Sequence, residues 1–331
     1  MQRSNKPPDF CGNLNGFKHG NKMVTEDPFK HRLHLTKWDW LKTYFLTIFI
    51  LPIRVLLFLI VSLLMNLVAR IGLFNLSPAE IQEKPLTSYS SRFSQKSLII
   101  LARIACRICG FNFTIHGKIA SVDEAPIIVA APHSTFIDAP ILALAGGKPT
   151  TCVFAEEYKK LPIIGKVIQI FQPIYVKRDD PYSRENTRRE ILKRTSLNNH
   201  PDASERWPHL FFAPEGMCSN RKALLPFKLG AFYPGKPVQP ITIRYPNKID
   251  TVTWTWDQPH GAMSVIWLTL AKPFTNVEIE FLPVYYPSTK EKEDPKFFAS
   301  NVRKLMASHL DIPTYDTTFN EVKARYVNTN S

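Results

Sequence analysis

Cysteine is scarce and unevenly spaced: Cys11, Cys106, Cys109, Cys152 and Cys218 are the only five in 331 residues. An odd number without a framework excludes a disulfide-stapled scaffold and fits reduced thiols facing the cytosol. Cys106-x-x-Cys109 has metal-ligand spacing, but it lies in the apolar, helix-like run Ser97 to Cys109 and no second pair follows. Small buried residues are therefore expected there rather than a metal site. Acids are also few, 28 Asp and Glu against 42 Lys and Arg, giving a net charge of +14. That balance favours polyanionic partners such as nucleic acid, anionic lipid or a phosphorylated cofactor. No zinc-finger spacing, helix-turn-helix signature or aromatic RNA-binding motif accompanies the charge, so nucleic acid is not expected as a partner. Internal repeats and low-complexity tracts are absent, as is the Gly-x-Ser-x-Gly elbow of a serine hydrolase.

One long hydrophobic run is present. Phe45 to Met65 carries a single charge, Arg54, two positions after Pro52. At about 1.5 Å per residue the run reaches roughly 30 Å, the thickness of a bilayer core. It starts too far from the N-terminus for a cleaved signal peptide. Pro52 and Arg54 divide it into Tyr44 to Leu51 and Val55 to Met65, which suits a hairpin dipping into one leaflet with the charge near the headgroups; a single span is the alternative. Residues 1–42 hold eight Lys and Arg against four acids, and the far flank is basic from Arg70 onward. A positive excess on both flanks favours the hairpin with both ends cytosolic. The stretch 97–109 adds a candidate interfacial helix.

From about Ser97 the pattern turns α/β. The apolar runs Ile127 to Ala131, Thr151 to Phe154, Pro173 to Val176, Leu210 to Phe212, Val238 to Ile243 and Val277 to Phe281 read as strands. Arg184 to Leu197 reads as a charged surface helix and Pro295 to His309 as an amphipathic one. Their spacing predicts a central mixed, partly parallel sheet flanked by helices, preceded by a membrane-embedded helical segment. The expected division is a loosely ordered segment over 1–40, membrane-attachment helices over 41–110 and a catalytic domain over 111–331.

The chemistry concentrates in Pro132-His133-Ser134-Thr135-Phe136-Ile137-Asp138, directly after the first of those strands. A strand ending there places His133 and Asp138 at the carboxyl edge of the sheet, where loops build active sites. On one continuous helix the two side chains would sit roughly 140° apart, so His133 is read in the loop and Asp138 on a helix turning back towards it. A carboxylate taking the proton of one imidazole nitrogen fixes the tautomer and leaves the other nitrogen as a base. Three more segments follow predicted strands: Val176-Lys177-Arg178, Pro214-Glu215-Gly216, and the run Ala231 to Pro240. Arg178 offers a planar fork for a phosphate with Lys177 as a solvent-facing neighbour, and Glu215 stands beside a backbone free of Cβ at Gly216.

In this order and spacing the motifs resemble the glycerolipid acyltransferase superfamily, with its His-x4-Asp, an Arg-bearing strand end, a Pro-Glu-Gly and a Pro-containing strand. Within it the chain is most similar to the lysophosphatidylcholine acyltransferases. The likeness runs through Ala131 to Asp138, Val176 to Arg184, and Phe227 through Val238-Gln239-Pro240-Ile241 to Arg244-Tyr245-Pro246-Asn247-Lys248 and Thr253-Trp254-Thr255-Trp256. The resemblance implies acyl transfer from acyl-CoA, a substrate rather than a cofactor, to the free hydroxyl of a lysophospholipid at the endoplasmic reticulum membrane. It makes His133 the base, Asp138 its orienting carboxylate and Arg178 a phosphate ligand. Glu215 and Gly216 would place the acceptor, and Pro240 would mark the fourth motif. No metal is implied.

Two departures stand out. Met217 occupies the usual Thr position after Pro-Glu-Gly, and Leu229 a usual Pro position before Gly230-Ala231-Phe232. The Asp-x-Asp-x-Asp-Gly loop of calcium-binding repeats does not occur, so calcium control by this chain alone is not expected. Lysophosphatidic acid or glycerol 3-phosphate remain alternative acceptors, since all share the hydroxyl and phosphate. Trp254, Trp256, Trp267 and Tyr245 are candidate aromatic partners for a quaternary ammonium. A thioesterase using the same His133, with Cys218 as a conceivable nucleophile, and a non-catalytic lipid-binding protein are the rival classes.

Overall fold

A computed structural model describes residues 26–177, 180–197, 200–202, 205–257 and 261–327. The helices are α1 (Lys37–Phe49), α2 (Leu51–Gly72), α3 (Pro78–Glu83), α4 (Tyr89–Ile108), α5 (Asp138–Ala145), α6 (Ile164–Gln169), α7 (Ser183–Ser196), α8 (Ala262–Leu270), α9 (Thr289–Glu293), α10 (Pro295–Leu310) and α11 (Phe319–Val327). The strands are β1 (Phe111–His116), β2 (Ile127–Ala131), β3 (Thr150–Ala155), β4 (Ile174–Val176), β5 (His209–Phe212), β6 (Val238–Arg244) and β7 (Thr275–Phe281).

The strands form one sheet in the order β1-β7-β6-β2-β5-β3-β4. Every neighbouring pair is parallel except β6 with β7. This is the mixed, helix-flanked sheet that the spacing of the apolar runs predicts. β2 is central and apolar at every position because both of its faces are covered. Its odd residues Ile127, Val129 and Ala131 join one core with Phe298, Val302 and Met306 of α10. The even residues Ile128 and Ala130 face Ile141 and Leu142 of α5 on the other side, following the two-residue period of a strand. β7, near the sheet edge, alternates buried and accessible residues along Thr-Asn-Val-Glu-Ile-Glu-Phe.

The parallel run β5, β2, β6 decides where chemistry occurs. Their carboxyl ends fall on one edge, so the segments that follow them, starting at Ala213, Pro132 and Tyr245, converge.

Helices α1 and α2 meet at Ile50, which keeps right-handed helical backbone angles. Pro52 falls in the first turn of α2, where its missing N–H is tolerated. Instead of the expected break at Pro52 and Arg54, α2 therefore runs uninterrupted for 22 residues, and it is the one described helix long and apolar enough to cross a membrane. Its outward residues Leu56, Leu59, Ile60, Leu63 and Leu67 are exposed, an apolar surface of the kind that associates with membranes. Arg54 does not reach outward to headgroups. Its guanidinium donates to the carbonyls of Leu270 (2.6 Å), Lys272 (2.5 Å) and Pro273 (2.6 Å), which satisfies the C-terminal end of α8. At its other end α2 packs on α4 and α6: Asn66 donates to the Ile163 carbonyl at 2.5 Å, and a Cβ on Gly72 would come within 2.7 Å of Ser94 and Ile170. The same globular body thus grips α2 near both ends.

Residues 1–25 lie outside the described residues. Residues 26–32, within the segment expected to be loosely ordered, are seated on the domain. Phe29 is fully buried between Tyr315 and Tyr326, and the Asn220 side chain donates to the Asp27 and Lys30 carbonyls at 3.0 and 2.9 Å.

Candidate active site

His133 leaves the end of β2 and Asp138 opens α5, so the chain reverses between them and the helix N-terminus favours the carboxylate. The imidazole Nδ1 lies 3.0 Å from Asp138 Oδ2. The same oxygen accepts the Ser134 N–H at 2.6 Å and the Thr135 N–H at 3.0 Å. Asp138 is 1% exposed and His133 18%, so the carboxylate is sealed while the imidazole, which also meets the Cys218 side chain, stays partly accessible. Burial alone would lower the His133 pKa. The hydrogen bond His133 donates to Asp138 and its hydrogen bond with Cys218 outweigh it and raise the imidazole well above its ordinary value.

Glu215 occupies a different place from the one its motif suggests. It is buried, and its two oxygens take the backbone N–H groups of His133 (2.5 Å) and Leu225 (2.7 Å). A side chain so enclosed does not touch an acceptor; it ties the His133 loop to the loop after β5. A second tie runs from the Ser219 N–H to the His133 carbonyl at 2.8 Å. Burial pushes the Glu215 carboxyl up to about 7, against the pull of the two amide donors.

Gly216 adopts φ +63°, and a Cβ there would sit 2.4 Å from the Lys228 side chain. The left-handed φ is what calls for glycine here; the flexible end of Lys228 crosses over this backbone, its Nζ donating to the Gly216 carbonyl at 3.5 Å. Burial, and then the neighbouring Arg184, lower the Lys228 pKa. Two cations therefore stand beside the Glu215 loop, a placement suited to a phosphate. Arg178 lies outside the described residues. Lys177 is exposed at the end of β4. Pro240 is buried inside β6 opposite Val129, which precedes His133 by four residues, so it packs the sheet rather than lining the site.

Of the four aromatic candidates, Trp254 adjoins the dyad loop, its N–H bonded to the Ser134 carbonyl and its ring edge-on to Phe136 at 5.5 Å. Trp267 is taken by Trp40, Tyr44 and Thr47 of α1. Tyr245 is buried, with its hydroxyl bonded to Asp138, and is closed to a headgroup. Cys106 and Cys109 are half-buried thiols whose pKa values partial burial pushes up to about 12 and about 11. Among the described residues, no three His, Cys, Asp or Glu side chains are grouped to hold a metal ion.

Lys228 and Tyr245 were not assigned these roles from sequence. The Tyr245–Asp138 partnership joins residues 107 positions apart, whereas Lys228 follows Gly216 by 12 residues and leaves a local trace, as a cation close after Pro-Glu-Gly.

Residues 112–244 match the family described as Acyltransferase. Lysophosphatidylcholine acyltransferase 2B of Mus musculus is 42% identical over 300 residues, covering 91% of this chain and 56% of the relative. Over residues 112–244 the chain is thus similar to acyltransferase-family domains, and over most of its length to lysophosphatidylcholine acyltransferases. Lysophosphatidylcholine acyltransferase of Drosophila melanogaster is 41% identical over 89% of this chain and 54% of its own length. Lysophosphatidylcholine acyltransferase 2 of Homo sapiens is 42% identical over 90% and 53%. The chain thus spans about half the length of the curated relatives it matches. In fold, the chain resembles the crystal structure of a 1-acyl-sn-glycerophosphate acyltransferase from Thermotoga maritima. The TM-score is 0.51 with 15% identity, over 82% of this chain and 98% of that one.

Proposed function

We propose that this chain transfers an acyl group from acyl-CoA to the free hydroxyl of a lysophospholipid, with lysophosphatidylcholine as the preferred acceptor. The observation that carries the reading is a sealed carboxylate holding one nitrogen of a partly exposed imidazole. His133 Nε2 takes the proton of the acceptor hydroxyl as its oxygen attacks the thioester carbonyl, and CoA departs as the thiolate. A thioester is already activated, so a positioned base in a shielded site supplies the chemistry. Lys228 and Arg184 are placed for the acceptor phosphate, joined by Arg178 on the strength of its motif. Trp254 supplies an aromatic face near the dyad for a choline group. The lysophosphatidylcholine preference is supported by the names of the relatives rather than by pocket shape.

The test is CoA release by the full chain in membranes with palmitoyl-CoA and, in turn, lysophosphatidylcholine, lysophosphatidic acid, lysophosphatidylethanolamine, glycerol 3-phosphate and no acceptor. Release that requires lysophosphatidylcholine and yields phosphatidylcholine is expected. Preference for lysophosphatidic acid would overturn the acceptor, and equal release without acceptor would make the protein a thioesterase using Cys218 or water.

The membrane reading goes with it. Because the domain holds α2 through Arg54 and through Asn66, the two flanks of the helix belong on one side of the bilayer. We place them on the cytosolic face of the endoplasmic reticulum, where acyl-CoA is available. Protease added to sealed microsomes should cut both N-terminal to residue 37 and C-terminal to residue 72; protection of one flank would mean that α2 spans.

A further inference from the structure

The dyad carboxylate has two oxygens, and only one of them faces the base. Oδ2 gathers His133 and the Ser134 and Thr135 amides. Oδ1 accepts from the hydroxyl of Tyr245, the first residue beyond β6 and 107 positions along the chain. The Tyr245 ring is held flat under a cation, the Arg221 guanidinium, 4.9 Å from its centroid. Arg221 is in turn fixed by Asp250 at 2.5 Å and Thr253 at 2.7 Å. The same loop returns to the dyad through the Trp254 N–H on the Ser134 carbonyl at 2.8 Å. Burial, then the facing Asp138 carboxylate, push the phenol well above its ordinary pKa, so it stays a donor throughout the working range.

We infer that Tyr245 is a positioning residue for the base. Its hydroxyl fixes the rotation of the Asp138 carboxylate and draws charge from it, and so sets both the aim and the basicity of His133. The inference rests on the acyl-transfer reading of the dyad. Without the phenol, Oδ1 faces an apolar ring, the carboxylate keeps more of its charge towards the imidazole, and the protonated imidazole is favoured. The other titratable and charged groups around the dyad are Cys218 and Glu215 from the loop after β5, Arg303 of α10 behind Glu215, and the Arg221–Asp250 pair behind Tyr245. None of these is removed by the substitution tested.

Tyr245→Phe in the full chain is expected to lower kcat about tenfold and to move the acid limb of the kcat/KM profile up by about one pH unit, the equivalent of a tenfold change in neutral imidazole. KM for both substrates should stay within about twofold. In an Asp138→Asn background the same substitution should cost less than about twofold further, because the residue acts through the carboxylate. If Tyr245→Phe does not fold, 3-fluorotyrosine at position 245 keeps the shape and strengthens the donor. It should move the acid limb in the opposite direction, to lower pH. An unshifted profile in a folded variant, or fully additive losses with Asp138→Asn, would overturn the inference while leaving acyl transfer by the unaltered protein intact. Absence of acyl transfer in the unaltered protein would instead overturn the reading beneath it.

Discussion

Replacing His133 with Ala should lower kcat/KM for acyl transfer by about 10³-fold, the middle of the range for a positioned general base. The side chain pairs with the buried Asp138 and with Cys218, so the variant should still bind membranes but melt somewhat below the unaltered protein. The pH dependence supplies a second readout. A base works only when neutral, and the His133 pKa is raised well above the usual 6.5. kcat/KM should therefore climb with pH through a value above 6.5 rather than level off below it. Stopped assays from pH 5.5 to 9 with lysophosphatidylcholine and palmitoyl-CoA measure both effects. Full turnover by the Ala variant would remove His133 from the mechanism.

Replacing Glu215 with Gln should cost about 10²-fold in activity and also weaken the fold. The carboxylate accepts two backbone amides at once, whereas a Gln offers one acceptor oxygen and turns an NH2 donor against the other amide. A buried amide left without a partner costs about 1–3 kcal/mol. At roughly 2–4 °C per kcal/mol for domains of a few hundred residues, differential scanning fluorimetry should show a midpoint several degrees lower. Activity falls further because the released amide is that of His133, and a displacement of about 1 Å at the base costs on the order of 10²-fold. The pH dependence of stability separates the roles. With the Glu215 pKa raised from 4.5 to about 7, the folded chain holds a proton that the unfolded chain has lost. Its contribution therefore falls as pH rises from 4.5 to 7, and the Gln variant should lack that slope. A variant with unchanged melting and a raised acceptor KM alone would return Glu215 to the acceptor-binding role its motif suggests.

The sequence is legible where the signal is local. β2 is an uninterrupted apolar run, and the five-residue step from His133 to Asp138 already demands a loop followed by a helix, which is the observed arrangement. β1 gives little sequence signal because Phe-Asn-Phe-Thr-Ile-His is a partly exposed edge strand with a diluted apolar pattern. α8 is short and apolar and carries no side-chain cap to announce its start. What a single sequence does not display is direction. Nothing in Pro-Glu-Gly tells whether the carboxylate points at a substrate or back into its own backbone, and here it points back. Pro240 lies in the strand its apolar run predicts, but its motif does not tell that it packs against β2 rather than lining the site. Arg54 looked like a charge for the headgroups because its true partners, three carbonyls near residue 272, lie more than 200 residues away.

Saturation of the Asp138 carboxylate has a consequence for the traffic of hydrogen through the reaction. Two backbone amides, an imidazole and a phenol already occupy it. It has no free corner from which to carry a proton onward, and Nδ1 is locked against it. Nε2 is then the one doorway. The hydrogen that arrives from the lipid hydroxyl must leave through the same atom onto the departing sulfur, so alcohol and thioester have to be present together within reach of a single nitrogen.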